Sequence, residues 1–570
     1  MKLTVSRSKN AASLYVTKSM YVNGTRTSKI VEKLGTEAEL RKKLNGADPY
    51  EWAKKYIEEL NRKEKEENQE VMVKYSPSKL IPKDKQHSFN GGYLFLQQLY
   101  HGLGLHKISA GISRKYKFTF DLDSILSRLL YARIIYPSSK LATYQLSKKF
   151  IEQPNFELQH IYRALEVISK ESDFIQSTLY NNSLKVSKRN TGVLYYDCTN
   201  YFFEIEHEDG LKQYGPSKEH KPNPIVQMGL FMDGDGVPLA FSINRGNTNE
   251  QLTLKPLERK ILSDFDLSRF IVCTDAGLAS ESNRKFNDRG ERAFITTQSI
   301  KKLKSHLKEW ALDPNGWSLD GDRRTYNIAE LDETNDKDKI FHKERWIKEG
   351  GLEQRIIVTY SIKYRDYQRT IRNSQIERAY KAIDSYPEKL KRFNPNDFKR
   401  FIEKKHCTAD GEVAEHEMYS INTELISKEE AFDGFYAVCT NLEDDASAII
   451  RINKRRWEIE ECFRSMKSEF KARPVYLSRD DRIEAHFLTC FISLVIYRLL
   501  EKKLNCKYTC QEITNGLREM NFLEIIGDGY IPTYTRTDFT DDLHEAFGFR
   551  TDYQIVNTKQ MKKILKSTKS

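Results

Sequence analysis

Two hydrophobic periods divide this chain. From Met1 to about residue 45 apolar and polar residues alternate, as in Ser13-Leu-Tyr-Val-Thr17 and Lys29-Ile-Val-Glu-Lys-Leu-Gly35. That is the two-residue period of strands with one buried face, and it predicts a small β-rich unit. Pro49 to Glu70 reads as a charged helix, and Val71 to Ser88, with Pro77 and Pro82, as a polar linker. From Gly91 to about Arg189 the period lengthens to that of helices, with Leu94, Leu96 and Leu99, then Ile125, Leu126, Leu129 and Leu130, then Ile161, Leu165 and Ile168. A helical domain carrying Arg128, Arg133, Lys140, Lys148 and Lys149 is an expected DNA reader, with a plain helical spacer as the alternative.

At Thr191 the pattern changes again. Val193-Leu-Tyr-Tyr-Asp197 is a short apolar run that ends in an acid. Ile225–Met232 and Val237–Ile243 are two strands joined by Asp233-Gly-Asp-Gly236, a hairpin signal. Asn249 or Thr248 is placed to cap a helix over Leu252–Leu262, and Phe270-Ile-Val-Cys-Thr-Asp275 is a second buried strand ending in an acid. Residues 300 to about 432 are mixed, with strand-like Arg355–Tyr360 and a basic helical run from Tyr364 to Lys405. Phe435–Thr440 is a further strand, and Ile483–Leu504 a last helix. The lysine-rich end from Lys559 is expected to fray.

Between the strand at Phe435–Thr440 and the last helix lies Arg456-Trp-Glu-Ile-Glu460-Glu-Cys-Phe-Arg-Ser-Met-Lys467. As one helix at about 100° per residue, it places Arg456, Glu460 and Lys467 within about 40° of each other. Ile459, Phe463, Met466 and Phe470 form an adjoining apolar stripe. An acid flanked by two cations at the rim of a packed face suits a site where metal and phosphate meet. A solvated salt-bridged face is the plain alternative.

Composition narrows the class. A chain of 570 residues with 39 % hydrophobic and 31 % charged residues is globular and too long for one core. Its 93 Lys+Arg against 81 Asp+Glu leave a formal charge of +12, which fits a polyanionic partner such as nucleic acid. The eight cysteines make no zinc-type pairs, since Cys506-x3-Cys510 has no second pair nearby. The start lacks an apolar signal core, and the run Phe487–Leu500 is too short to span a bilayer, so a cytoplasmic protein with no membrane partner is expected. No Gly-Lys-Ser/Thr loop for a nucleotide occurs.

Phosphodiester chemistry with divalent metals needs hard oxygen ligands from separate elements, holding two ions about 4 Å apart. Asp197 and Asp275 at strand ends, with Glu460 on a packed helix, form such a set. Cys198 and Cys273 beside the acids read as small buried filler. Trp317 and Trp346 are assigned to packing, with base stacking as the alternative. His486 is open to either a site role or a structural one. Lys218, His220 and Lys221 form a basic turn open to solvent or to phosphate.

These segments resemble the DDE transposases of bacterial and archaeal insertion sequences, in the branch with an insertion before the final Glu. The resemblance is carried by Tyr196-Asp197-Cys-Thr199, by Gly215-Pro-Ser217-Lys218 through Gln227-Met-Gly229 to Asp235-Gly236-Val-Pro238, by Asn247-Thr248, and by Asp275-Ala-Gly277. Arg456-x3-Glu460-x6-Lys467 is similar to the family's Tyr-x2-Arg-x3-Glu-x6-Lys signature, with Asn453 in place of the Tyr and Ala276 where a basic residue is common.

The resemblance implies an α/β multidomain chain with a ribonuclease-H-like mixed sheet core. The expected parts are a β-rich N-terminal unit with its charged helix and linker (1–88), a helical DNA-binding domain (89–190), a first core part (191–299), a mixed insertion subdomain (300–432), a second core part (433–545) and a basic tail (546–570). It implies catalysis and metal binding by Asp197, Asp275 and Glu460 with two Mg²⁺ (or Mn²⁺) ions, and DNA-phosphate binding by Arg456 and Lys467. The implied partners are double-stranded DNA, as terminal inverted repeats and target, and a second copy of the chain in a homodimeric complex at the nucleoid. The alternatives are a nuclease that stops at hydrolysis and a DNA-binding protein whose catalysis has lapsed.

Overall fold

The structure, a computed structural model, describes the chain except residues 9–10, 23–24, 68–72, 74–75, 386–396 and 408–412. The linker expected over Val71–Ser88 and the basic run from Tyr364 to Lys405 lie partly outside the described residues. The described part falls into two compact units, one of Met1–Lys85 with Ile525–Asp528, the other of Gln86–Glu524 with Gly529–Ser570.

In the first unit, strands Lys2–Arg7, Ala12–Val22 and Thr25–Thr36 form an antiparallel meander. Thr36 ends the last strand and caps helix Glu37–Lys43 in a capping box with Glu39. Helix Pro49–Glu67 follows, and Leu14, Leu40 and Ala53 make the small core.

The second unit is built on a nine-stranded mixed sheet. Its order is Ser318–Leu319, Phe341–Glu349, Leu352–Tyr360, Phe435–Thr440, Ala293–Gln298, Ile271–Thr274, Val193–Phe202, Ile225–Asp233 and Pro238–Arg245. The strands Val193–Phe202, Ile271–Thr274 and Ala293–Gln298 run parallel to one another, and all other neighbours are antiparallel. The residues expected as a separate insertion therefore continue the sheet. The last six residues of Leu352–Tyr360, Arg355 to Tyr360, pair with Phe435–Thr440, and the two faces are covered by different cores, Ile356 and Val358 in one and Ile357 in the other.

Strand Val193–Phe202 is buried on both faces. Leu194, Tyr196 and Cys198 join the core under helix Leu254–Asp264, while Tyr195 and Tyr201 join the larger core around helix Asp480–Lys503. That last helix is long and apolar enough to cross a membrane, yet 89 % of its apolar window lies inside the protein. Helices Tyr93–Gly102, Leu122–Ile135 and Leu158–Lys170 pack on it. The helical segment read as a domain of its own thus shares one core with the sheet. Each large apolar side chain buried there contributes about 1.5–3 kcal/mol, which rewards fusing the two layers.

Three of the five basic residues named in that segment are placed differently from the sequence expectation, while Lys149 is exposed. Arg128, Arg133 and Lys140 are buried; Arg128 donates to the Glu152 carbonyl at 2.9 Å and Arg133 to the Phe470 carbonyl at 3.0 Å. The end expected to fray is also folded. Helix Thr558–Ser567 is capped by Asn557, Thr568 donates to Gln97 at 2.8 Å and Lys569 pairs with Glu152. Its lysines lie on one face while Met561 and Ile564 are buried, so the charge run is the solvated side of an amphipathic helix.

The Asp233-Gly-Asp-Gly236 hairpin is fastened from below. Arg189 donates to Asp233 at 2.6 Å and to the carbonyls of Val237 and Pro238, with both charged side chains fully buried. Asp233 in turn accepts the N–H groups of Asp235 and Val237. Arg189→Ala leaves that carboxylate buried without its partner and is expected to cost about 3–5 kcal/mol in urea unfolding. A loss under about 1 kcal/mol, the range of an exposed pair, would show that the pair does not hold the hairpin.

Candidate active site

Parallel pairing aligns the two aspartates. Val193, Leu194 and Tyr195 stand opposite Ile271, Val272 and Cys273, so the same register carried two residues on sets Asp197 opposite Asp275. Neighbouring strands lie about 4.8 Å apart, and residues two apart share a face. Asp197 therefore lies on the face of Tyr195, and Asp275 on that of Cys273. Tyr195 donates to the Ile452 carbonyl at 2.9 Å, and the Cys273 thiol to Asn453 at 3.7 Å. This face is covered by helix Ala446–Lys454, directly before the acid-bearing helix.

Burial raises the Asp197 carboxyl to about 6. Lys218 and Arg456 pull it down and Asp275 pushes it up, while its Oδ1 accepts the Cys198 N–H at 2.7 Å. Asp275 accepts the Leu278 N–H at 3.0 Å, and a Cβ at Gly277 would come within 3.3 Å of its carboxylate. Glycine there keeps the approach to the acid open.

The segment expected as one helix is two pieces, and a separate helix precedes it. Helix Ala446–Lys454 ends, helix Trp457–Arg464 starts after Arg456, and Ser465–Glu469 is a π turn in which Phe470 bonds back to Ser465. A π turn rotates the residues after it relative to an α-helix, so the wheel expected from the sequence does not hold past Ser465. Glu460 remains one turn above Arg456, its side chain 66 % exposed, with the pair 3.8 Å apart. Lys467 points elsewhere, to Glu219 at 3.0 Å. Its ammonium is pushed down to about 8 by burial and by Lys218, against the pull of Asp197.

Arg456 is the common neighbour of the acids. It acts on Asp197, pairs with Glu460 and donates to Thr297 at 2.9 Å. Thr297 shares a hydrogen bond with the Tyr436 hydroxyl at 2.7 Å, and Asn453 donates to that hydroxyl at 2.8 Å. Asn453, at the signature Tyr position, is thus buried and orients a tyrosine from another strand. The structure places Asp275 near Asp197 and links Glu460 to Asp197 through Arg456. Among the described residues no three of His, Cys, Asp and Glu are gathered as a metal-binding group.

Three further residues join the site, of which only Lys218 had a signal in the sequence. Lys218 donates to the Cys198 carbonyl and pairs with Glu250 at 3.2 Å. Burial opposes its charge, but Asp197 and Glu250 outweigh this and its pKa is raised. Glu219 bridges Lys467 and Arg473. A basic turn was the available signal for Lys218; nothing in the pattern marked Glu219 or Arg473. Cys198 and Cys273 are buried free thiols pushed up to about 12 by burial, as filler should be. Trp317 is fully buried and donates to the Asp313 carbonyl, whereas Trp346 is 43 % exposed. His486 is buried against the Ala472 carbonyl.

Two hollows include neighbours of the carboxylates. One, of about 1240 Å³, includes Lys218, His220, Lys221, Gln227, Asn247 and Gly277. The other, of about 700 Å³, includes Tyr364, Tyr367, Tyr436, Lys454, Trp457 and Glu460. A basic cleft and an aromatic one near such acids can hold the backbone and the bases of a nucleic acid strand.

A family model described as Transposase DDE domain matches residues 202–496, just over half of the chain, including Asp275 and Glu460 and starting just beyond Asp197. No curated protein matches it. Among solved structures, the piggyBac transposase synaptic complex with hairpin DNA is similar at 8 % identity and a TM-score of 0.35, over 75 % of this chain and 78 % of that chain. The Mos1 transposase paired-end complex with the left transposon end is similar at 13 % identity and a TM-score of 0.13, over 41 % and 64 %.

Proposed function

Because the chain belongs to the transposase DDE-domain family, we propose that it cuts DNA at the ends of a mobile element and joins the freed 3′-hydroxyls to target DNA. Asp197, Asp275 and Glu460 are the proposed catalytic residues and metal ligands. The observation that carries this is the register that sets Asp197 beside Asp275, with Arg456 standing between Asp197 and Glu460.

The donor set fits a pair of hard divalent cations such as Mg²⁺: carboxylates only, one of them strained by burial and by its like-charged neighbour. Ions bound there supply Lewis acidity to the attacking and leaving oxygens. The chain's own part is positional and electrostatic. Lys218 and Lys467 line the approach to Asp197, and a phosphate entering there would find two cations already desolvated. Arg456, tied to Thr297, holds its guanidinium where a phosphate between Asp197 and Glu460 would lie. Glu460, exposed and paired with Arg456, is free to close on the aspartates when substrate binds.

We also read the sheet core as ribonuclease-H-like. An antiparallel three-stranded meander continued by two parallel strands, with acids on adjacent strands, supports it. The test is incubation of the purified protein with Mg²⁺ and end-labelled DNA bearing the inverted repeats that flank its own locus, with a target plasmid. Cleavage at the repeat ends and joined products are expected. Cleavage without joining would reduce the reading to a nuclease, and binding without cleavage to a DNA-binding protein.

A further inference from the structure

A second cationic pocket lies where the helical segment meets the chain after the π turn. It is a cavity of about 210 Å³ whose wall includes Arg133, Ser138, Lys140, Arg473, Tyr476 and His486. Lys140 is its notable member. The residue is 5 % exposed, and its Nζ is buried with no hydrogen-bond partner. The charged and titratable groups that act on it are Arg133 and the Cys490 thiol, neither of which supplies an anion. Arg133 is engaged with the carbonyls of Phe470 and Ser138, and His486 with that of Ala472. Buried ammonium groups are ordinarily paired, so an unpaired one aimed into a cavity lacks its partner.

The cavity is also placed for a strand of DNA. Lys140 opens the eight-residue helix Lys140–Ser147, capped by Ser139, whose first N–H groups point outward from the helix start. Arg473 shares Glu219 with Lys467, so the pocket connects through one carboxylate to the cations beside Asp197. Tyr476, 69 % exposed, stands at the mouth as a ring on which a base or sugar can rest.

We propose that this pocket receives a backbone phosphate of the DNA strand that the carboxylates act on, a few nucleotides from the reacting bond, with Lys140 as its buried cation and Arg473 as its link to the active site. The proposal rests on the transposase reading and deepens it, because it gives the helical segment a contact with the strand being processed. Burial and Arg133 hold the Lys140 ammonium down to about 7, so an arriving phosphate would restore a full charge.

The test compares wild type, Lys140→Met and Lys185→Met, an exposed lysine of the same segment, in full-length protein. Affinity for terminal-repeat DNA is measured across salt, and single phosphates near the cleaved bond are replaced by neutral methylphosphonates. Lys140→Met is expected to bind about tenfold more weakly, with a salt slope smaller by about one. Its melting temperature should rise, since an unpaired buried charge is gone. One methylphosphonate near the cleaved bond should weaken wild type about tenfold and leave Lys140→Met unaffected, while Lys185→Met stays close to wild type in both. Wild-type affinity and slope in Lys140→Met would overturn the proposal. So would a pocket that takes only free anion, with inorganic phosphate raising the melting temperature of wild type and not of Lys140→Met at unchanged DNA affinity. If Lys140→Met does not fold, the methylphosphonate scan on wild type decides alone, and no sensitive position beyond the reacting phosphate overturns it. Failure of wild type to bind or cut DNA at all would instead remove the transposase reading.

Discussion

Asp197→Asn is expected to abolish cleavage, by about 10²–10³-fold or more, while affinity for the element ends stays nearly unchanged. The carboxylate is one of two brought into register by parallel strands, and replacing it removes a hard ligand without removing a cation. Affinity for DNA comes mostly from many Lys and Arg contacts to phosphates. The same variant should be more stable than wild type in metal-free buffer at pH 8, on the order of 1–2 kcal/mol. In the folded protein Asp197 titrates at about 6, above the ordinary aspartate range, because it is buried and faces Asp275. A raised folded pKa favours the native state at low pH, and that contribution is lost as the pH climbs from about 4 through 6. The Asn variant never carries the charge, so its advantage is present at pH 8 and gone at pH 4. Thermal unfolding at the two pH values and single-turnover cleavage check both halves. A variant that lost binding and cleavage together, still folded, would mean that Asp197 serves DNA recognition and not chemistry.

Arg456→Ala is expected to slow cleavage within the bound complex by on the order of 10²-fold. The guanidinium reaches Thr297 with one arm and Glu460 with another, and it faces Asp197 as well. Without it, Glu460 loses its tether and the reacting phosphate its nearest fork of donors. Arg456→Lys should recover only part of the rate, because one ammonium cannot serve the threonine and the glutamate at once. Measured at saturating protein, a wild-type rate for Arg456→Ala would make the Arg456–Glu460 contact a surface ion pair of under about 1 kcal/mol. Thr297→Val offers a milder check on the same geometry: the Arg456 arm loses its acceptor, and the rate should fall less than in Arg456→Ala.

The chain's alternation was enough to locate the elements of the site. Val193–Asp197 and Phe270–Asp275 read as buried strands ending in acids, and the structure has strands Val193–Phe202 and Ile271–Thr274. The hairpin around Asp233-Gly-Asp-Gly236 and the strand Phe435–Thr440 were equally legible. These signals are local. A two-residue period reports the two faces of one strand, and Gly with Asp between two such runs reports a turn.

Other features depend on partners far away in sequence. That Asp197 stands beside Asp275 follows from parallel register across 78 residues, which no local period encodes. The inserted strands join the central sheet because Phe435–Thr440 completes the backbone ladder of Leu352–Tyr360, while cores on both faces bury its Ile356, Ile357 and Val358. Lys218 became a neighbour of Asp197 only when its loop folded back on the strand, and Asn453 serves Tyr436 only through helix packing. The π turn at Ser465–Glu469 has no propensity signal of its own, so the helical wheel placed Lys467 over Glu460 when it turns to Glu219. Lys140 and Arg133, hydrophilic by type, were drawn inward by the apolar residues on either side of them. The sequence by itself determined which segments form strands and helices, since that depends on neighbours along the chain. It did not determine their ends: Asp197, expected at a strand end, lies inside the longer strand Val193–Phe202. Which acids meet, which cations face them and which charges are buried were decided by tertiary packing, because burial and Coulomb energy depend on distance in space.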